Sequence, residues 1–478
     1  MVKMDPPKIV IIGAGSLFFG RQAIWALNHQ LGFRGATLAL VDIDENRLEK
    51  MQRLAVMAAE SSGSGVRVSA STNYREELKG ADFVVLSFSK NNAQYRRIDC
   101  QIAAKYGVRM CSGDTIGPGG VFRTAREFPL VLEIARAMET QCPDAWLINY
   151  VNPSAVMGIG LMRHSKAKSF ALCDTHHMPG KFESYADLLA LQGEEREKFR
   201  ARIAGVNHFT WMLGADVAGR DVMPEIREAF RALGVAEKDQ GASKGRFNNF
   251  ITAQLADLFG AIPTCTGHTK EYLPFYQGRA SISEPIPPLS IFDSDEREKN
   301  TDAMWTEVDD YVEGRKPIQE FLATGRADHA TDVIHTMLVE DGRQYFINRP
   351  NSDCTDGGGS PVTNLPSDAF LELLCRLDKN GPQPLPAGSF PLGLRAWQML
   401  ILDIHELTID AIVTKDRSLL LRALAMDPLV NSIATAQQLL SEIYTAEAEI
   451  LPSWMAAPET PLRGISGLSS PGPAPQLF

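Results

Sequence analysis

No apolar run of about 18 residues occurs in the chain, so a membrane-spanning helix is not expected. No charged-then-apolar leader precedes the strand-like Lys8-Ile9-Val10-Ile11-Ile12, so no signal peptide is expected either. The seven cysteines are odd in number and scattered, which argues against a disulfide framework and for a reducing, cytoplasmic setting. Basic residues are the minority: 48 Lys and Arg stand against 58 Asp and Glu, a net charge of −10. With no basic stripe, nucleic acid is not an expected partner. Internal repeats are also missing. What remains is an ordinary globular composition, with a length of 478 residues that suits two or three domains.

What is present begins with alternation. Residues 8–12, 36–41, 83–86, 145–150 and 168–172 are short apolar runs, as expected of strands buried on both faces of a parallel sheet. Helical patterns lie between them, from about Arg21, over Glu45–Glu60 and over Thr124–Glu139. The expected fold class is therefore α/β, with an N-terminal Rossmann-type doubly wound sheet over residues 6–205. The pattern changes near residue 205. Arg202–Val206, Phe209–Ala215 and the region 261–277 read as mixed strands and loops, and helices return at Pro391–Val413 and Arg417–Thr445. A second, α+β domain over 206–458 is expected to complete the site, with a Pro/Gly-rich tail over 459–478.

The first chemical motif is Gly13-Ala14-Gly15-Ser16, between a strand and a helix. Glycine there admits the backbone to a pyrophosphate, and the helix N-terminus attracts its charge. The third glycine of the usual pattern is missing: position 18 is Phe18, and Gly20 falls two residues late. Asp42 ends the second strand, where its carboxylate can accept from an adenine-ribose diol; this favours NAD over NADP. A second glycine-rich segment, Asp114-Thr115-Ile116-Gly117-Pro118-Gly119-Gly120, is followed by Arg123 and Arg126. An acid, a threonine and two arginines about one turn suit a ligand-facing loop, in which Asp114 contacts substrate.

Three more segments carry candidates. Asn149 and Asn152 end a strand, where amides suit sugar hydroxyls or a nicotinamide carboxamide, although Asn152-Pro153 also reads as a simple turn. Cys173-Asp174, with His176 and His177 behind, ends another. Cys173 and His208 could together hold a divalent metal of borderline softness, or each could be a core residue. Gly267-His268-Thr269-Lys270-Glu271-Tyr272-Leu273-Pro274 is polar and reads as a loop with several acid–base groups.

As a set, these motifs resemble glycoside hydrolase family 4, the NAD- and metal-dependent glycosidases that depart from the two-carboxylate mechanism. The resemblance rests on "KIVIIGAGS", "VDIDENRL", "RIDCQIAAKYGV", "GDTIGPGGVFR", "CPDAWLINYVNPSA", "AGVNHFTW", "TGHTKEYLPFY", "INRPNS", "NLPSDAFLEL" and Ile404-His405-Glu406-Leu407-Thr408. It implies a lactate-dehydrogenase-like C-terminal domain and a homodimer or homotetramer. It also implies a chemistry. NAD takes hydride from carbon 3 of the sugar, a base removes the acidified proton on carbon 2, the aglycone leaves carbon 1, water adds, and the hydride returns. Carried over by position, Cys173 and His208 hold the metal, usually Mn2+. Asp174 is the general acid, Arg97 and Asn152 bind substrate, and Tyr272 is the base with His268 as runner-up. The expected substrate is an unphosphorylated α-linked galactoside, glucoside or uronide. The alternatives are a 6-phospho-α-glucosidase, a plain NAD-dependent sugar or hydroxy-acid dehydrogenase, and a non-catalytic NAD-binding sensor. Asp174 points to the phospho-α-glucosidase branch, whereas "GDTIGPGG" and "GHTKEYLPFY" point to the galactosidase and uronide branches.

Overall fold

The run Lys8–Ile12 forms strand β1, and β2 (Thr37–Val41), β3 (Arg67–Ser71), β4 (Phe83–Leu86), β5 (Trp146–Asn149) and β6 (Lys168–Ala171) follow it. They pair in parallel in the order 3-2-1-4-5-6. Both faces of such a sheet are covered by helices, which is why β1, β2 and β4 read as unbroken apolar runs. Strand order reverses between β1 and β4, the place where sheets of this kind bind ligand, beyond the carboxyl ends of the strands. This computed structural model describes residues 6–456 apart from 114, 243–244, 280–281, 283 and 356–357. The expected tail, and with it Asp114, lies outside the described residues.

The sheet continues as an antiparallel part. Its strands are β7 (Phe199–Val206), β8 (Phe209–Val217), β9 (Arg220–Asp221), β10 (Ile262–Pro263), β11 (Gln344–Pro350), β12 (Phe370–Asp378) and β13 (Gly381–Pro384). From β6 the order runs β11, β12, β7, β8, β10, with β13 on β12 and β9 on β8. The two parts join through Asn348 opposite Ala171. The Rossmann-type parallel sheet and an α+β remainder are thus both present, built on one continuous sheet. Among the described residues, no helix is long and apolar enough to cross a membrane.

Local chemistry sets the helix limits. The helix Glu45–Ser62 starts where the Asp44 carboxylate accepts from the Arg47 amide (3.0 Å). The helix Gly117–Gln141 starts well before the expected Thr124. Its first amide, on Gly117, donates to the buried Asp427 carboxylate (2.9 Å), a cap supplied from far along the chain. The pattern over Arg417–Thr445 is two helices, Arg417–Met426 and Ile433–Ala446, because Pro428 cannot continue the first and Ser432 caps the second. Residues Thr266–Tyr272, expected as loop, form a helix. Arg126 does not face a ligand. It is buried between Asp99 (2.7 Å) and Glu447 (2.6 Å), fastening the C-terminal segment to the helix Gly117–Gln141.

Candidate functional site

The glycine loop after β1 is pinned from below. The Gly13 and Ala14 amides both donate to Val41 O (2.8 and 2.9 Å). Gly13 has φ +93°, and a Cβ there would lie 2.5 Å from the Phe88 nitrogen, so only glycine fits. Asp42 accepts from the amides of Gly15 (2.8 Å) and Asp44 (3.0 Å), so this carboxylate shapes the loop and stands beside it. The glycine that seemed missing is Gly20. A Cβ on it would meet Ala14 O at 2.2 Å, so Gly20 lets the helix Gly20–His29 close onto the loop after a two-residue insertion. A match to a fixed spacing missed it; the glycine itself was the signal.

Beyond β6, at the same edge of the sheet, Cys173 meets His208. The tight β7–β8 hairpin, with His208 at φ +64°, swings the imidazole inward. Cys173 Sγ lies 3.1 Å from His208 Nε2, and both residues are buried. Burial, then the charge of Glu372, pushes the Cys173 thiol up to about 12. A thiol in such a place gives up its proton readily only to a cation that takes the proton's position, which suits a metal. The His268 ring stacks on His208 (centroids 4.0 Å, planes 9° apart), and its Nδ1 lies 3.2 Å from Cys265 Sγ. Parallel rings do not share one in-plane ligand position, so His268 as placed stands over the pair without joining it. Among the described residues, no group of three His, Cys, Asp or Glu forms a ready metal site. The pair would need oxygens from substrate or water to complete a coordination sphere.

A buried polar layer supports this pair. The Glu372 carboxylate lies 2.8 Å from His176 Nδ1 and accepts from Asn207 Nδ2 (3.2 Å), with Glu372 and His176 fully buried. Burial lowers the His176 pKa; for Glu372 burial acts upward, but His176, His208 and Asn207 together hold its carboxyl below the usual range. The Glu372 carboxylate therefore accepts from His176 Nδ1–H. His177 pairs with Asp332 (2.9 Å) and stacks on His329 (4.9 Å). Burial pushes His329 down to about 3, so its neutral Nδ1–H donates to Cys173 O (3.1 Å). His176 and His177 thus hold the strand ends in place. Glu372 was missed by sequence reasoning; its signal is a carboxylate inside the apolar run Phe370–Cys375.

Residues 8–185 match the family model described as "Family 4 glycosyl hydrolase", and residues 203–430 match that of its C-terminal domain. The chain belongs to glycosyl hydrolase family 4. Among curated proteins, this family-4 chain is similar to an alpha-galactosidase of Bacillus subtilis (28% identical, covering 94% of this chain and 99% of that one). It is equally similar to an alpha-galacturonidase of the same organism (28% identical, 92% and 97% covered). Its fold is that of a 6-phospho-alpha-glucosidase from gut microorganisms, solved with NAD and Mn2+ (TM-score 0.73, 20% identical, 94% and 99% covered).

Other candidates of the family-4 site fall unevenly. Asp174 keeps solvent access beside Cys173, while the protein packed around it raises its carboxyl pKa against the charges of His177 and Arg326. Asn152 Oδ1 accepts from Ser154 Oγ (2.9 Å) at the head of the helix Ser154–His164, and the residue is half-buried. Asn149 is fully buried, and its amide closes a turn: Nδ2 donates to Val151 O (2.9 Å), and Oδ1 accepts from the Val151 amide (3.1 Å). In this structure its amide closes the strand end. Arg97 is paired with Asp295 (2.8 Å) and Glu298 (3.3 Å) at the head of the helix Asp295–Val312. Tyr272 is fully buried against Phe209, and its hydroxyl donates to Asn207 O (2.9 Å). His268 is half-buried where it stacks on His208.

Proposed function

We propose that this chain cleaves an α-linked, unphosphorylated hexoside by transient oxidation at carbon 3. One observation carries the reading: the thiol–imidazole pair Cys173–His208 and the glycine loop with Asp42 lie along the same carboxyl edge of one parallel sheet. NAD would supply a hydride acceptor there, and a divalent metal such as Mn2+ a Lewis acid for the sugar oxygens. Gly13, Gly15 and Ser16 would admit the pyrophosphate, and Asp42 would take the ribose diol. Cys173 and His208 would hold the metal. His268 would remove the proton at carbon 2, and Asp174 would give a proton to the leaving oxygen. Asn152 would bind a sugar hydroxyl.

The likeness to both an alpha-galactosidase and an alpha-galacturonidase supports a galacto-configured sugar, neutral or uronic. The test is a panel of nitrophenyl α- and β-galactosides, glucosides, galacturonides and 6-phosphoglucosides, each with and without NAD and Mn2+. Release of nitrophenol from an unphosphorylated α-glycoside only when both are added supports the reading. Stoichiometric NADH with oxidised sugar would make the chain a dehydrogenase instead.

A further inference from the structure

The segment after Cys111 is held at both ends by carboxylates that come from the other half of the chain. Glu271 accepts from the amides of two consecutive residues, Ser112 (Oε2, 2.7 Å) and Gly113 (Oε1, 2.7 Å), while Cys111 Sγ lies 3.3 Å from Oε2. Four residues on, Asp427 takes the amide of Gly117. Glu271 is 1% exposed, and Asp427 and Gly113 are also buried. A carboxylate gripping two adjacent amides is a charge-assisted, bidentate contact, which fixes orientation as well as distance. Glu271 lies three residues after His268 on the helix Thr266–Tyr272, so one helix turn carries both.

We propose that Glu271 is a positioning residue: it locks the backbone at Ser112 and Gly113 to the helix that bears His268, so that this segment meets the sugar in register with the base. The inference rests on the glycosidase reading for its kinetic consequence, and on the hydrogen bonds alone for its structural one. Besides Glu271, Arg96 holds this segment, donating to Ser112 O and to Ser112 Oγ. Both of its ends hang on groups more than 150 residues away in the chain, with Glu271 158 residues from Gly113 and Asp427 310 from Gly117. Glu271 thus ties the loop directly to the helix.

The test has two arms on the full chain loaded with NAD and Mn2+. Hydrogen exchange is measured on wild type and Glu271→Gln. The amide of Gln keeps one acceptor and turns a donor toward the second backbone amide, so peptides covering 112–117 and 266–272 exchange at least tenfold faster together. Kinetics with the best nitrophenyl glycoside then show kcat/KM reduced at least tenfold, chiefly through KM, with NAD affinity within twofold of wild type. A general loss of structure would lower NAD affinity as well. Gly119→Ala serves if the first variant does not fold: its Cβ would press on Gly113 O at 2.4 Å, moving the loop from the opposite side with Glu271 intact. It should give the same rise in KM. Wild-type exchange in Glu271→Gln, or wild-type KM in Gly119→Ala, overturns the proposal. A wild type that hydrolyses no glycoside sinks the glycosidase reading and leaves the exchange test standing.

Discussion

His405 makes a prediction whose sign and size can be worked out. It sits 3% exposed on the helix Leu392–Thr414, facing a small enclosed cavity beneath the Thr115–Gly120 turn, with Thr408 and Asp427 among the lining residues. Burial pushes its imidazole down to about 4, against help from the Thr115 backbone. The unfolded chain titrates the same group near the ordinary value of about 6.5. The folded pKa lies below the unfolded one, so the unfolded chain takes the proton first. Stability is complete above about pH 6.5 and falls as pH drops toward 4. Linkage between these two values gives a loss of about 2 kcal/mol from pH 7 to pH 5 through this one residue. In His405→Leu the group is gone, and with it this part of the slope. Asp427, pushed up to about 6 by burial, contributes with the opposite sign in both proteins and cancels in the difference. Urea unfolding of wild type and variant at the two pH values reads the quantity directly. The stability gap between the two proteins should change by about 2 kcal/mol between pH 7 and pH 5, in the direction that favours the variant in acid. Parallel pH dependence in both would show that His405 takes its proton in the fold as easily as in water.

Other consequences are equally direct. Arg126→Met strands Asp99 and Glu447 without their cation and should cost about 3–5 kcal/mol of stability, measured by denaturant unfolding; a cost under 1 kcal/mol would remove the triad from the account. Cys173→Ser should lose Mn2+ affinity in equilibrium dialysis together with glycosidase activity, and metal retained at wild-type affinity would exclude the thiolate. Asp42→Ala should weaken NAD about tenfold or more and narrow the gap to NADP in fluorescence titration, since a charge-assisted hydrogen bond contributes about 1.5–3 kcal/mol. His268→Ala should slow turnover by about 10²–10⁴-fold and Tyr272→Phe far less, and the reverse order would return the base to Tyr272.

The parallel half of the fold was legible because its strands are buried on both faces, so burial leaves an unbroken apolar run as its mark. A strand end then marked Cys173, whereas His208 was ambiguous on its own and entered with the family resemblance. Orientation was what the sequence concealed. Arg97 and Asn149 have the right chemistry for a ligand, and in this structure each is engaged by the protein itself. The acid that meets Arg97 lies 198 residues away, a pairing no local pattern encodes. Asn149 is engaged two residues on, by a turn that its own amide closes. The helix Thr266–Tyr272 was read as loop because its residues are polar, yet five of its seven are buried, their polar groups met from distant segments. Glu372 and Glu271 hold the site from behind, where a buried carboxylate looks in sequence like any other acid.

In the proposed mechanism the carbon 2 proton is removed and replaced from solvent during turnover. Hydrolysis of the best nitrophenyl glycoside in D2O, with the released sugar read by NMR, tests it most directly. The account predicts deuterium at carbon 2, the original hydrogen retained at carbon 3, and no accumulation of NADH. Sugar released in D2O with no deuterium at carbon 2 would contradict it, since direct displacement at carbon 1 breaks no carbon–hydrogen bond.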